Sequence, residues 1–151
     1  MRAPPGPPIG LHLARTTKAV SRAFEEALAS AGGSSSTWLI LISLKSQRFS
    51  NQRELAEALG IEGPTLTHHL NAMETDGLIT RERDPDNRRI HRVELTEDGE
   101  AAFMRMRGAA AAFDKRLRKG LTDDEIEGFR GLLDRLHQNV RIEAGGLAQH
   151  K

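Results

Sequence analysis

The stretch from Glu54 to Met73 constrains this chain most. It reads Glu-Leu-Ala-Glu-Ala-Leu-Gly-Ile-Glu-Gly-Pro-Thr-Leu-Thr-His-His-Leu-Asn-Ala-Met. A helix-turn-helix needs a small residue where its axes cross, a permissive residue in the turn and inward apolar positions on the second helix. Ala56, Gly60, Ile61, Leu66 and Leu70 fill those places. Ser50 or Asn51 can cap a short first helix, Gln52 to Leu59, with Leu55, Ala56 and Leu59 inward and Gly60 ending it. Pro64 suits the first turn of the second helix, where its missing amide hydrogen costs nothing; that helix runs to about Thr75, and Gly77 terminates it. On a helical wheel Leu66, Leu70 and Met73 share the inner face, which turns Pro64, Thr67, His68, Asn71 and Thr75 outward with Thr65 at the flank. Threonine, histidine and asparagine side chains can touch base edges or phosphates in a major groove.

After Gly77 the apolar period changes. Leu78 to Arg83 and Ile90 to Leu95 read as two strands, joined by Asp84-Pro85-Asp86-Asn87-Arg88-Arg89, whose Asp, Pro and Asn favour a turn. Arg88 and Arg89 stand at the tip, with Arg81, Arg83 and Arg92 along the strands. The net charge of the whole chain is only +1, so any basic site must be local, and this hairpin is where basic charge concentrates. A narrow ribbon projecting arginines can enter a minor groove and meet its negative potential. Asp86 or Asn87 can orient the guanidinium groups.

The flanking segments read as helices with apolar stripes. Residues 1–8 are a Pro-rich, disordered lead-in, and Ile9, Leu13, Val20, Phe24 and Leu28 then recur at steps of four and seven until Gly32 and Gly33. Ser34 to Thr37 offers caps for a helix opening on Trp38-Leu-Ile-Leu-Ile, apolar on all sides and expected to be buried. Thr96 caps a long helix carrying Phe103, Met106, Ala110, Phe113 and Leu117, which Gly120 closes. Thr122-Asp123-Asp124-Glu125 is a capping box for a last helix with Ile126, Phe129, Leu133, Leu136 and Val140. Alternating steps of three and four in both suggest seams packed against another helix, and a second copy of the chain is the expected partner, with Phe129, Leu133, Leu136 and Val140 in the seam.

These readings give a mainly α fold with a small β-hairpin wing. Its organisation is a lead-in (1–8), N-terminal helices (9–46), a winged helix-turn-helix lobe (47–96), C-terminal dimerisation helices (97–143) and a tail (144–151). The chain resembles the MarR family of winged-helix transcriptional regulators, from its first helix to its last. The most specific stretch is Asp84-Pro-Asp-Asn-Arg-Arg-Ile-His-Arg-Val-Glu-Leu-Thr-Glu-Asp-Gly, which looks like the family's wing and the start of the helix after it. Asn71-Ala-Met-Glu-Thr-Asp-Gly-Leu-Ile-Thr-Arg is similar to the family's exit from the recognition helix.

The resemblance implies a homodimer that binds pseudo-palindromic duplex DNA and acts as a repressor released by a small, commonly phenolic, ligand. Taken with the outward residues and the arginine-bearing tip read above, it puts DNA binding at Pro64, Thr65, Thr67, His68, Asn71, Arg88 and Arg89, with Asp86 and Asn87 supporting the wing. It also places a ligand pocket where the first two helices meet the DNA-binding lobe, near Trp38. Two departures stand out. Asn87 occupies the place of the aspartate that usually precedes the arginine pair, which passes the orienting role to Asp86. His68 stands where the family often has arginine, which makes base contacts weaker or pH-dependent.

Composition excludes several other classes. The 151 residues include no cysteine, so thiol catalysis, thiol redox sensing and cysteine-ligated metal sites are impossible. The six histidines are scattered apart from His68 and His69, which diverge by about 100° on one helix, so neither a metal nor another cofactor is expected. No nucleophile elbow, phosphate-binding glycine loop or HExxH motif occurs, so no catalytic residue is expected. With no secretory leader and no apolar run near 20 residues, the expected location is the cytoplasm, without membrane contact. Two alternatives remain from the residues alone. One is a winged-helix module that binds protein; the other is a small-molecule carrier without specific DNA binding.

Overall fold

The computed structural model describes residues 2–46, 52–83 and 91–147, with the side chains of 83, 91 and 142–147 left aside. Its elements run α1 (Ile9–Ser30), α2 (Ser35–Ser46), α3 (Gln52–Leu59), α4 (Gly63–Thr75), β1 (Ile79–Arg83), β2 (His91–Leu95), α5 (Glu97–Leu117) and α6 (Asp123–Leu147). They form two compact units, Met1–Phe113 and Asp114–Lys151.

Glycine sets three helix ends in the first unit by one device. Gly32, Gly60 and Gly77 each take a positive φ, and the next residue's amide turns back on the helix: Gly33 donates to the Leu28 carbonyl, Ile61 to that of Ala56 and Leu78 to that of Met73. Such a reversal satisfies carbonyls that the helix end would leave unpaired. The α1 terminus is tight for a further reason. A Cβ on Gly33 would collide with the Met106 sulfur, so α5 lies directly on that turn.

The start of α2 is capped twice. The Ser34 hydroxyl accepts the Thr37 amide at 3.2 Å, and Glu25, ten residues upstream on α1, accepts the Ser35 amide at 2.9 Å. Those hydrogen bonds from Ser35 hold the Glu25 carboxyl below its usual range. Contrary to the reading of α2 as apolar and buried all round, only one side is covered. Trp38, Ile40 and Leu41 are buried, whereas Leu39 is 53% exposed.

The core of this unit gathers Leu28 of α1, Ile40 and Leu41 of α2, Leu55 of α3, Leu66 and Leu70 of α4, Ile79 of β1 and Met106 of α5. Each such side chain contributes roughly 1.5–3 kcal/mol when taken from water. Helix α2 is the hub, since it meets α1, α3, α4 and β2. The hairpin is antiparallel, with Ile79 opposite Leu95 and Arg81 opposite Val93. Thr96 locks it to the helices: its hydroxyl donates to the Gly77 carbonyl at 2.6 Å and accepts the Gly99 amide, which caps α5.

In the second unit Gly120 takes a positive φ after α5, and Thr122 and Glu125 exchange the two hydrogen bonds of the expected capping box at 3.1 and 3.0 Å. The bonds from Thr122 lower the Glu125 carboxyl's pKa. Helix α6 continues through Gly145 and Gly146 to Leu147, so the first residues of the stretch read as tail are helical. Among the described residues no single helix is long and apolar enough to cross a membrane.

Candidate nucleic-acid interface

Helix α4 presents its polar face because its apolar stripe is fully used. Leu66, Leu70 and Met73 are buried in the core, and at 100° per residue this turns Pro64, Thr65, His68, Asn71 and Thr75 to the exposed side. Pro64 stands within the first helical turn, as its missing N–H allows. Five expected contact residues therefore fall on this one helix, four of them exposed.

The fifth, Thr67, is half-buried and already engaged. Its hydroxyl donates to the Gly63 carbonyl at 3.0 Å and accepts from the Gln52 side-chain amide at 2.9 Å. Gln52 thus ties α3 to α4 across the turn. It lines, with Arg53, Glu57, Glu62 and Thr67, an open groove of about 690 Å³.

The opposite end of the same flank carries a second tie. Arg81, expected as one of the hairpin's projecting cations, instead folds back onto α4. Its guanidinium pairs with Glu74 at 3.0 Å and donates to the Asn71 side-chain oxygen. Only 15% of its side chain remains exposed, so this arginine's charge is largely spent inside the lobe. Arg92, across the hairpin, is exposed. The wing-tip residues Asp86, Asn87, Arg88 and Arg89 lie outside the described residues, as do the two cap candidates Ser50 and Asn51.

The adjacent histidines differ in exposure, although their rings, expected to diverge, lie tilted with centroids 5.8 Å apart. His68 is exposed, while His69 is half-buried and lines a small cavity of about 60 Å³ with Ser36, Leu39, Ile40, Leu59 and Ile61. That volume is well below the roughly 300–1,000 Å³ of sites that enclose drug-sized ligands. Trp38, expected beside a ligand, lines neither this cavity nor the open groove. Its indole is buried and stacks on Phe103, with centroids 5.6 Å apart and planes at 15°. Lys45 lies over the Phe103 ring and pairs with Glu100 at 2.9 Å. The tryptophan is placed as a core residue joining α2 to α5, and the apolar run that opens α2 gave no sign of that partner.

The four residues expected in the helical seam all lie on α6. Phe129 and Val140 are 57% and 63% exposed, whereas Leu133 and Leu136 are half-buried. Among the described residues of α6 none is fully buried. Helix α1 likewise leaves Ile9 and Leu13, at the N-terminal end of its stripe, exposed.

Comparison with known proteins agrees with this arrangement. A sequence model of the MarR family matches residues 34–91. The chain is 30% identical to a solved structure of the transcriptional regulator PA3341, over 89% of this chain and 98% of that one, with a TM-score of 0.70. It is 29% identical to the transcriptional repressor CouR bound to a 23-mer DNA duplex, covering 86% and 92% of the two chains with a TM-score of 0.78. Against CouR from Rhodococcus jostii RHA1 bound to p-coumaroyl-CoA the identity is 26%, the coverage 85% and 92%, and the TM-score 0.69.

Proposed function

The chain belongs to the MarR family of transcriptional regulators, and from that premise we propose that it is a homodimeric, ligand-responsive repressor that binds pseudo-palindromic duplex DNA. The observation that carries this reading is the face of α4. A helix anchored by Leu66, Leu70 and Met73 leaves Pro64, Thr65, His68 and Asn71 uncovered beside a two-stranded hairpin. Such a helix fits a major groove while a hairpin reaches the neighbouring minor groove and phosphates.

In this reading residues 47–96 form the DNA-binding lobe. Pro64, Thr65, His68 and Asn71 meet the groove, and Thr67 orders the helix start through Gln52 and Gly63. Arg88 and Arg89 supply electrostatic affinity, supported by Asp86 and Asn87. The helices of 9–46 and 97–143 pair two copies, with Phe129, Leu133, Leu136 and Val140 at the seam. A two-fold protein then matches a two-fold site. A protein that acts on DNA in this way works in the cytoplasm.

The effector is an aromatic acid or its thioester, a class supported by the p-coumaroyl-CoA held by a 26% identical relative. Trp38 serves as an optical reporter of that event through the α2–α5 stack rather than as a contact.

The test is fluorescence anisotropy of full-length protein with duplexes tiled over the DNA upstream of its own coding sequence, with and without p-coumarate and p-coumaroyl-CoA. Saturable binding to one duplex, at least a hundredfold tighter than to a scrambled one, is expected. Equal affinity for every duplex would leave a non-specific binder and defeat the repressor reading.

A further inference from the structure

Asn71 lies on the exposed face of α4, yet one half of its amide is occupied. The neighbouring Arg81 guanidinium carries five N–H donors and no acceptor, so the amide atom that faces it must be the oxygen. Its orientation needs no assumption about which way the amide is flipped.

Arg81 is itself held in place. Its Nη2 donates to Glu74 Oε1 at 3.0 Å and its Nε reaches Glu74 Oε2 at 3.4 Å, a two-point contact that fixes the plane of the guanidinium. Glu74 is one turn along α4 from Asn71, so the clamp joins β1 to two successive positions of the helix. Neutralised by Glu74 and only 15% exposed, Arg81 is poorly placed to serve as a phosphate cation.

An unrestrained asparagine pairs best with adenine, accepting from N6–H and donating to N7 at once. The oxygen keeps a second lone pair, but held on Arg81 it is turned from the two-point adenine geometry, and Asn71 offers chiefly the N–H pair of Nδ2. Guanine (N7 and O6) and thymine (O4) offer acceptors to such a group, adenine offers N7 but sets its amino group against the donors, and cytosine offers only a donor. We infer that Arg81 is a positioning residue that turns Asn71 toward hydrogen-bond donation, so that this position of α4 selects a keto base, guanine or thymine, most strongly over cytosine and less strongly over adenine. The inference rests on the reading of α4 as the DNA-contacting helix.

The experiment is selection from a randomised duplex pool by full-length wild-type protein, Arg81→Met and Asn71→Asp, followed by titration of single-base-pair variants of the selected site at two salt concentrations. Wild-type protein should prefer guanine or thymine by about tenfold or more at one base pair of each half-site. Arg81→Met frees the amide oxygen and should move that preference to adenine while the salt dependence stays as it was. Asn71→Asp, nearly isosteric and still able to pair with Arg81, turns the outward group into an acceptor and should move the preference to cytosine or adenine.

If Arg81→Met keeps the wild-type base preference and instead lowers affinity for all sequences with a flatter salt dependence, Arg81 is a phosphate contact and the inference fails. If Arg81→Met does not fold, Asn71→Asp decides alone, and an unchanged preference in it overturns the assignment. A wild-type protein that selects no sequence would overturn the DNA-reading function itself, an outcome distinct from either of these.

Discussion

Helices α4 and α6 carry the same kind of pattern and meet opposite fates. In α4 the stripe Leu66, Leu70, Met73 is buried within its own unit, and a three-residue turn from α3 together with the Thr96 junction leaves it no other arrangement. In α6 the stripe Ile126, Phe129, Leu133, Leu136, Val140 is no less regular, yet no described residue of the helix is fully buried and Phe129 and Val140 stand largely in solvent. An amphipathic period states that a face needs covering; it does not state what covers it. Short connections answer that question for α4, and for α6 the proposed answer is a second chain.

The strongest way to break this contrast is to charge the α6 stripe. Leu133→Asp with Leu136→Asp should cost several kcal/mol of dimer stability, because burying two unpaired carboxylates in an apolar seam is among the most expensive changes available. Sedimentation should show a monomer whose helical circular dichroism is largely retained, and binding to a palindromic duplex should disappear with the dimer. A folded monomer that binds the palindrome with undiminished affinity would end the dimer argument.

The matching change in α4 acts inside one chain. Leu70→Ala removes a fully buried side chain and should lower unfolding free energy by about 2–5 kcal/mol. Denaturant unfolding should show that loss whatever the protein concentration, whereas the midpoint of the α6 variant should not respond to concentration as wild type does. The two stripes would prove equivalent if both midpoints moved alike with concentration.

Gly99 probes the junction of the hairpin with α5, inside the first unit. A Cβ there would overlap the Leu78 carbonyl oxygen and press on Leu95, so the backbone of α5 must move away from the hairpin. Gly99→Ala should cost roughly 1–3 kcal/mol, as overpacking does. Because the strain falls between wing and helix, DNA affinity should drop more than thermal stability alone would explain. Equal losses in stability and in binding would remove that coupling.

How much of this was legible in the residues depends on how far apart the partners lie. The α3 bounds, Gln52 and Leu59, and the glycine stops at Gly60, Gly77 and Gly120 follow from cues within a few residues, as does the Thr122–Glu125 capping box. The exposed face of α4 follows from its period alone. What escaped is contact between elements: Glu25 capping α2 from α1, Trp38 stacking on Phe103, and Arg81 turning from the hairpin back to Asn71 and Glu74. Arg81 is instructive, because a count of basic residues cannot tell a cation aimed at phosphate from one already paired. Its neighbour seven positions earlier, Glu74, is the one signal that could have warned of it.

That distinction predicts different behaviour for arginines of one hairpin. Arg88→Ala should weaken operator and non-operator duplexes together and reduce the slope of log affinity against log salt by about one unit, as loss of one phosphate contact does. Specificity should be nearly unchanged. If Arg88→Ala instead altered base preference with the salt slope intact, the wing would be the reading element and α4 the anchor.

The smallest effect separates the two units by pH. Glu25 and Glu125 each accept hydrogen bonds at the start of a helix, and each has its pKa lowered by those bonds. A carboxyl whose folded pKa lies below its unfolded value contributes stability in full above the unfolded pKa, and that contribution is lost as pH falls through the folded one. Both groups are exposed, so screening keeps the effect to a small part of total stability. Glu25 nevertheless bridges α1 to α2, whereas Glu125 caps only its own helix. In Glu25→Gln the thermal midpoint should fall slightly at neutral pH, and the difference from wild type should shrink as acid protonates the native carboxyl. Glu125→Gln should show the same trend, while leaving DNA affinity untouched if the cap is purely local. A difference between Glu25→Gln and wild type that stayed constant from pH 7 into the acid range would mean that the carboxylate's charge plays no part in holding α2.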